Sequence, residues 1–233
     1  IAPTVSATPA TPIAQAAPAA PKITTRADAF QYFTDIGIPF KDGKKYQIDD
    51  QMIIGYANWH AEFSTKYPEF AEMAKNAKSA LPIIEHVAPS KLRAGVLGQF
   101  EYYTNGKTAG IKLNAGVLAK YADAQKKSSE LKSIGHHSTD NPYHTFIHEY
   151  GHYVSHAMSE NSQRGFEHDI IDQAIKEFKA SNPNYTYNTY IGLRDDLSKY
   201  GTKSESECFA EAFAEYFGTD AWKDTNAVNG YST

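Results

Sequence analysis

Hydrophobic and polar positions alternate along the chain with two different periods, which separates helices from strands. Asp49 and Asp50 precede an apolar-periodic stretch that ends near Pro68, as expected for a helix with an acidic N-cap and a proline stop. The helical period predicts helices at residues 26–36, 49–66, 69–79, 115–132, 140–159, 168–180, 190–199 and 204–217.

A strand-like period is confined to the middle of the chain. Residues 99–104 and 107–113 flank Asn105-Gly106, the pair favoured in two-residue hairpin turns. Residues 81–87 predict one further short strand. Helices, then a small antiparallel sheet, then more helices together predict an α+β fold.

The N-terminal 22 residues differ in composition from the rest. Residues 1–22 are mostly Ala, Pro and Thr, so we expect a disordered, extended linker there. The remainder, 23–233, is predicted to be globular, with a helical and sheet lobe at about 23–138 and a helical lobe at about 139–220. Because the first residue is Ile, we also expect a processed chain or a segment of a longer polypeptide.

Composition excludes several classes of partner. Hydrophobic residues make up 41% of the chain, which is enough for a core, and none of them form the run of about 18 that a membrane-spanning helix needs. A net charge of -4 gives no indication of nucleic-acid binding. Cys208 is the only cysteine, so no internal disulfide can form.

The segment His148-Glu149-Tyr150-Gly151-His152 fits the pattern His-Glu-x-x-His. Side chains four apart share a helix face, so both imidazoles can bind one zinc ion. Glu149 lies about 100° further round the helix, where it can take a proton from a zinc-activated water. We expect Gly151 to allow close approach of substrate or of another chain segment.

The other histidines and the start of this helix lead to weaker expectations. His144 and His156 continue the spacing of four, but the helix turns them away from the pair, so we expect them on a wall or at the surface. Thr139 or Asp140 is the predicted N-cap. The histidines without a motif around them, expected to be ordinary, are His60, His86, His136, His137 and His168.

A third zinc ligand must come from elsewhere in the chain. Ser155 and Met158 stand where a metzincin would have glycine and histidine, so that class is excluded. Glu207, Glu211 and Glu215 recur every four residues in a predicted helix. They form either a ligand-bearing face or a solvated acidic one, and Ser204-x-x-Glu207 also fits a capping box that would occupy Glu207.

Taken together, HEYGH, Tyr200-Gly201 and the segment from Glu207 through Cys-Phe-Ala to Glu211 resemble the catalytic domain of anthrax lethal factor-like zinc metallopeptidases over roughly residues 140–220. The resemblance implies a zincin-like fold, mostly helical, with an active-site HExxH helix in a zinc-binding lobe. It also implies one Zn²⁺ per chain. Cys208 departs from the family, which often has phenylalanine there.

The same resemblance assigns roles to individual residues. It implies His148, His152 and Glu207 as zinc ligands and Glu149 as the general base. Tyr200 would place a hydroxyl beside the metal, and Glu211 would hold one of the ligating histidines in position.

The expected function is therefore that of a secreted, toxin-like zinc endopeptidase, with delivery into a host cell left open. Its protein or peptide substrate is expected to lie extended along an edge strand of the 99–113 hairpin. The alternative is a catalytically silent, zinc-bearing binding or attachment module of a larger secreted protein.

Overall fold

The computed structural model describes residues 19–70, 81–102, 109–159, 165–181, 183 and 197–220. Its main elements there are seven α-helices, one short 3-10 helix (Pro89–Lys91) and one sheet. The fold is mixed α+β and mainly helical. The elements are α1 (Arg26–Asp35), β1 (Phe40–Lys41), α2 (Asp50–Lys66), β2 (Ile83–Val87), β3 (Gly98–Tyr102), β4 (Ala109–Asn114), α3 (Ala115–Leu118), α4 (Tyr121–Ser133), α5 (His144–Ser159), α6 (Phe166–Ser181) and α7 (Glu205–Gly218).

Most predicted elements are confirmed to within a few residues. The exceptions concern helix ends and one helix break. The single helix predicted at 115–132 is wrong, because the chain forms α3 and α4 with a break between them. The linker residues 1–18, the Asn105-Gly106 turn and most of the helices predicted at 69–79 and 190–199 lie outside the described residues.

Helix α5 begins at His144, later than predicted. Just before it, the Asn141 side-chain oxygen accepts a hydrogen bond from the N–H of Tyr143 at 2.7 Å. The Thr139 hydroxyl in turn accepts the N–H of Asn141 at 3.2 Å. The predicted cap at Thr139 or Asp140 is therefore wrong, and Asn141 provides the side chain at the helix start.

The sheet is mixed, so the prediction of an antiparallel sheet is wrong. Its strand order is β1-β2-β4-β3, and only β3 and β4 pair antiparallel. The β1–β2 and β2–β4 pairs are parallel. Because α2 lies between β1 and β2, the chain crosses back before the second strand, and such a connection produces parallel pairing. Among the described strands, β3 lies at one edge of the sheet.

One hydrophobic cluster runs through both predicted lobes. The Trp59 ring of α2 lies 5.5 Å from Phe146 and 5.4 Å from Tyr150, both on α5. The Phe63 ring lies 5.7 Å from Phe213 on α7. Edge-to-face aromatic pairs of this kind stabilise beyond their buried area, so α2 holds α5 and α7 together from one side.

Gly151 allows α5 and α7 to approach each other closely. A Cβ atom at this position would lie 3.1 Å from the side chain of Phe213. The close approach expected at Gly151 is therefore by another segment of the chain, α7. As a result, the glutamate face of α7 stands opposite the histidine face of α5.

No helix among the described residues has both the length and the apolar character to cross a bilayer.

Asp49 joins helices α2 and α4, and its two hydrogen bonds lead to a prediction about stability. Its carboxylate accepts the N–H of Met52 in α2 and the N–H of Tyr121 in α4, each at 2.8 Å. We expect Asp49→Ala to lower the free energy of unfolding by about 1–3 kcal/mol in denaturant titration, because a cap and a second hydrogen bond are lost.

The control is Asp50→Ala, which removes an exposed carboxylate at the next position that pairs with Arg26 at 3.3 Å. Its loss should cost less than about 1 kcal/mol. Equal losses for the two variants would contradict the role of Asp49.

Candidate metal centre

Three side chains from α5 and α7 converge on one point. Glu207 Oε2 lies 3.0 Å from His148 Nε2 and 3.2 Å from His152 Nε2, and the two Nε2 atoms are 3.2 Å apart. Donors arranged tetrahedrally around zinc at ~2.05 Å would be about 3.3 Å from one another. The three atoms therefore fit three corners of a zinc site.

The charges of this group are strongly coupled. Burial by itself lowers the pKa of His148, but hydrogen bonds with Glu207 and Glu211 outweigh it and raise this pKa to about 10. Burial likewise raises the pKa of Glu207, yet the two imidazoles overcome this and lower it to about 2. A positive charge between these groups is thus strongly favoured, whether a proton or a metal ion supplies it.

The outer nitrogen of each imidazole has its own partner. His152 Nδ1 lies 3.0 Å from the Ser206 hydroxyl, and His148 Nδ1 lies 2.9 Å from Glu211 Oε1. If Nδ1 carries the hydrogen in both rings, each Nε2 presents a lone pair to the shared point. Glu211 therefore contacts His148, one of the two histidines that the resemblance offered for it, and its role beside a metal ion stays a prediction. Ser206 was not predicted from the sequence.

Glu207 takes part in the cap of its helix only through its backbone N–H. The Ser204 hydroxyl accepts the N–H of Glu207 at 3.1 Å and is the N-cap of α7. The Glu207 carboxylate points instead at the two imidazoles. Ser204 therefore caps the helix while the carboxylate stays free to bind a metal ion.

A second group, His144, His148 and Glu211, is also close enough to hold a metal ion. His144 lines a cavity wall and is buried, with Nε2 at 3.3 Å from Glu211 Oε1. Glu211 Oε2 also accepts the N–H of Ser138 at 2.7 Å. Because Glu211 is fully buried and surrounded by donors, we interpret this group as a hydrogen-bonded support for His148.

Glu149 is buried beside the metal group and below strand β3. Burial raises its pKa, while the nearby His148 and His152 and a hydrogen bond from the Phe100 backbone act in the opposite direction. A Cβ atom on Gly98 would lie 2.7 Å from Glu149 Oε1. Only glycine at this position lets strand β3 pass so close to the carboxylate. The sequence alone gave no indication of this role for Gly98.

Tyr200 lies beside His148 and lines the same two cavities as Glu149. Its ring centre is 5.6 Å from that of His148, and its N–H donates to the carbonyl of His136 at 3.2 Å. Burial raises the pKa of its hydroxyl, and the neighbouring Glu207 carboxylate raises it further. The ammonium of Lys203 lies over the ring at 3.6 Å from its centre.

The loop of residues 134–138, whose His136 carbonyl binds the Tyr200 backbone, is hydrogen-bonded to Glu211, which contacts His148 of the metal group. Ser138 donates its N–H to the Glu211 carboxylate and its hydroxyl to the Glu211 carbonyl, the latter at 2.8 Å. Two residues earlier, His136 holds the Tyr200 backbone. Ser138 was not predicted, since one serine among many carries no sequence signal.

His156, His60 and Glu215 stand apart from the metal group, whereas the His137 ring stacks on His144, with ring centres 4.0 Å apart. His156 stacks on Tyr102, with ring centres 4.3 Å apart. His60 is buried and lies 2.9 Å from the Tyr150 hydroxyl, as an ordinary core histidine would. Glu215 is exposed, so the stripe of three glutamates contributes only Glu207 and Glu211 to the site.

Comparison of the chain with protein-family models, with curated proteins and with solved structures finds no match. The resemblance to lethal factor-like peptidases therefore stays a prediction, and the assignment of the site depends on its geometry.

The two overlapping histidine groups can be separated by mutation. We expect His152→Ala to weaken zinc binding by more than about 100-fold, because a ligand is lost. His144→Ala should weaken it by less than about tenfold, because only a support is lost. Competition with a fluorescent chelator measures both affinities, and circular dichroism checks that the variants fold. The reverse order would place the metal at Glu211.

Metal binding should also release a proton. Since the pKa of His148 is raised to about 10, its imidazole is protonated near pH 7.5 in the metal-free protein, and a metal ion at Nε2 must displace that proton. Zinc titration in two buffers of different ionisation enthalpy should report release of about one proton per ion. Apparent affinity should rise about tenfold between pH 7 and 8. Binding without proton release would contradict the assigned ligand atom.

Proposed function

We propose that the protein is a zinc-dependent endopeptidase. The observation that supports this best is the convergence of His148, His152 and Glu207 beside a buried Glu149 carboxylate, at the floor of a cleft bounded by strand β3. His148 lines one cavity beside this group, and His152 and Glu207 line another, so a metal ion held by the three would be within reach of a substrate, as a catalytic metal site requires.

His148, His152 and Glu207 would hold the zinc ion. When bound, zinc supplies a Lewis acid that polarises the scissile carbonyl and makes water acidic enough to attack near neutral pH.

Glu149 would act as the general base. Burial raises the pKa of the Glu149 carboxyl group towards neutral pH. A group whose pKa is near the working pH transfers protons efficiently in both directions. Glu149 accepts a proton from the attacking water and later delivers that proton to the departing amine. The Phe100 N–H bond and the absence of a side chain at Gly98 keep the carboxylate in place.

Tyr200 would stabilise the developing negative charge. Because burial and Glu207 raise the pKa of its hydroxyl, the side chain stays protonated at any physiological pH. It can therefore donate a hydrogen bond to the carbonyl oxygen as that atom becomes an oxyanion.

Strand β3 would bind the substrate backbone. It lies at an edge of the sheet in the described part of the chain, so its outer peptide groups can pair with an extended peptide. Cavities of ≈ 380 and ≈ 360 Å³ both border Gly98, Glu149 and Tyr200. Space on both sides of the reacting centre favours cleavage of internal bonds.

The general-base role predicts a separation of binding from catalysis. Glu149→Gln should retain one zinc per chain by elemental analysis, because Glu149 is not a ligand, and should lose about 10²–10⁴-fold in peptide cleavage. Glu177→Gln, at an exposed position of α6, is the control and should retain full activity. Cleavage is measured by mass spectrometry on a diverse peptide mixture, with and without chelator.

Undiminished, chelator-sensitive cleavage by Glu149→Gln would overturn its role. A wild-type protein that holds zinc and cleaves no peptide would support the alternative, a silent zinc-bearing binding or attachment module.

A further inference from the structure

The larger cavity beside the metal centre lies at the N-terminal end of β3. The segment leading into the strand forms one wall, with Ala94 and Leu97 among its residues, and Lys127 and Leu131 of α4 form another. His136 and Lys203 complete the lining. Glu149 and Tyr200 also border this cavity, so a group bound in it would be next to the reacting bond.

The two cationic side chains in this lining face few negative charges. The acidic residues that border the cavity are Glu149 and Glu211. Glu211 is fully buried and engaged by His144, His148 and Ser138, and Glu149 is the proposed base. Neither is available to neutralise Lys127 or Lys203.

The contacts that Lys127 and Lys203 make with neighbouring side chains leave both ammonium groups able to bind an anion. Lys127 pairs with Glu130 at 3.6 Å, with both side chains partly exposed, and such a pair on one helix is weak. Lys203 lies over the Tyr200 ring, a contact that leaves its charge in place. The pKa of His136 is lowered, first by burial and then by Lys203, which agrees with a positive potential in this part of the cavity.

The direction of β3 places the cavity relative to the cleaved bond. Antiparallel pairing is the more stable per residue, so we expect an added peptide to run antiparallel to β3, from the Tyr102 end towards the Gly98 end. The cavity lies beyond Gly98, so it would receive the part of the substrate that follows the scissile bond.

We propose that this cavity binds a carboxylate on the residue that follows the cleaved bond, and that Lys127 and Lys203 determine this preference. The inference depends on the proposed peptidase function, whose catalytic site it extends. A carboxylate can come from an Asp or Glu side chain or from the C-terminus of a short peptide, and the experiment separates these two sources.

The test uses peptide hydroxamates, which bind a zinc ion directly and need no turnover. Three compounds carry Glu, Gln or Lys on the cavity side, and each is made with a free and with an amidated C-terminus. With zinc-loaded protein, Glu should bind at least about tenfold more tightly than Gln, and Gln more tightly than Lys, because a charge-assisted contact replaces a neutral one. If the compounds with a free C-terminus bind more tightly than the amidated ones whatever the side chain, the carboxylate that the cavity binds is that of the chain end.

Matched lysine variants identify the cavity. Lys127→Gln should reduce the advantage of Glu over Gln to less than about threefold, and Lys127→Glu should favour the Lys compound. Lys126→Gln, at the preceding and exposed position of α4, is the control. It should bind the Glu, Gln and Lys compounds in the same order of affinity as the wild-type protein. Equal binding of Glu and Gln compounds by the wild-type protein, or an unchanged order in Lys127→Gln, would overturn the proposal.

Failure of the peptidase function would look different. A protein that binds zinc and prefers the Glu compound but cleaves no peptide would overturn the reaction and keep the cavity assignment. If no metal binds, plain peptide amides are titrated into the protein and the ring protons of His136 are followed by NMR. The same order of binding is expected there, and the absence of that order would overturn the cavity assignment.

Discussion

The buried carboxylate of Glu211 is the constraint on which the candidate site depends. It carries a negative charge with no access to water, and burial alone would raise its pKa, yet its hydrogen bonds with His144 and His148 hold the pKa well below its usual range. A buried charge persists only where several donors surround it. Here those donors come from α5 and from the loop that contains Ser138. The need to pair the Glu211 carboxylate therefore holds α5 and this loop against α7.

This single interaction accounts for the alignment of the other groups. Glu211 holds His148 by Nδ1, which directs Nε2 towards Glu207 and His152. Through Ser138 it also holds the loop whose His136 carbonyl accepts the Tyr200 N–H. Gly151 on one side and Gly98 on the other remove the side chains that would separate α5 from α7 and from β3. The order of the site thus follows from one buried charge and two close backbone approaches.

Local features of this protein could be predicted from its sequence, and non-local ones could not. The pairing of His148 with His152 follows from helix periodicity, and Asp49 was recognisable as a cap before its helix. Glu207 was ambiguous, because the same spacing serves a capping box, and only the folded chain shows Ser204 capping while the carboxylate turns to the imidazoles. Parallel pairing of β2 with β4 and the roles of Ser138 and Ser206 depend on contacts between distant segments, which no local pattern encodes.

The central claim is that His148, His152 and Glu207 together hold one zinc ion. A crystal structure of zinc-loaded protein, with anomalous scattering recorded above and below the zinc absorption edge, tests it most directly. We predict one anomalous peak at about 2.0–2.2 Å from His148 Nε2, His152 Nε2 and a Glu207 oxygen. A peak between His144 and Glu211, or none near His152, would contradict it.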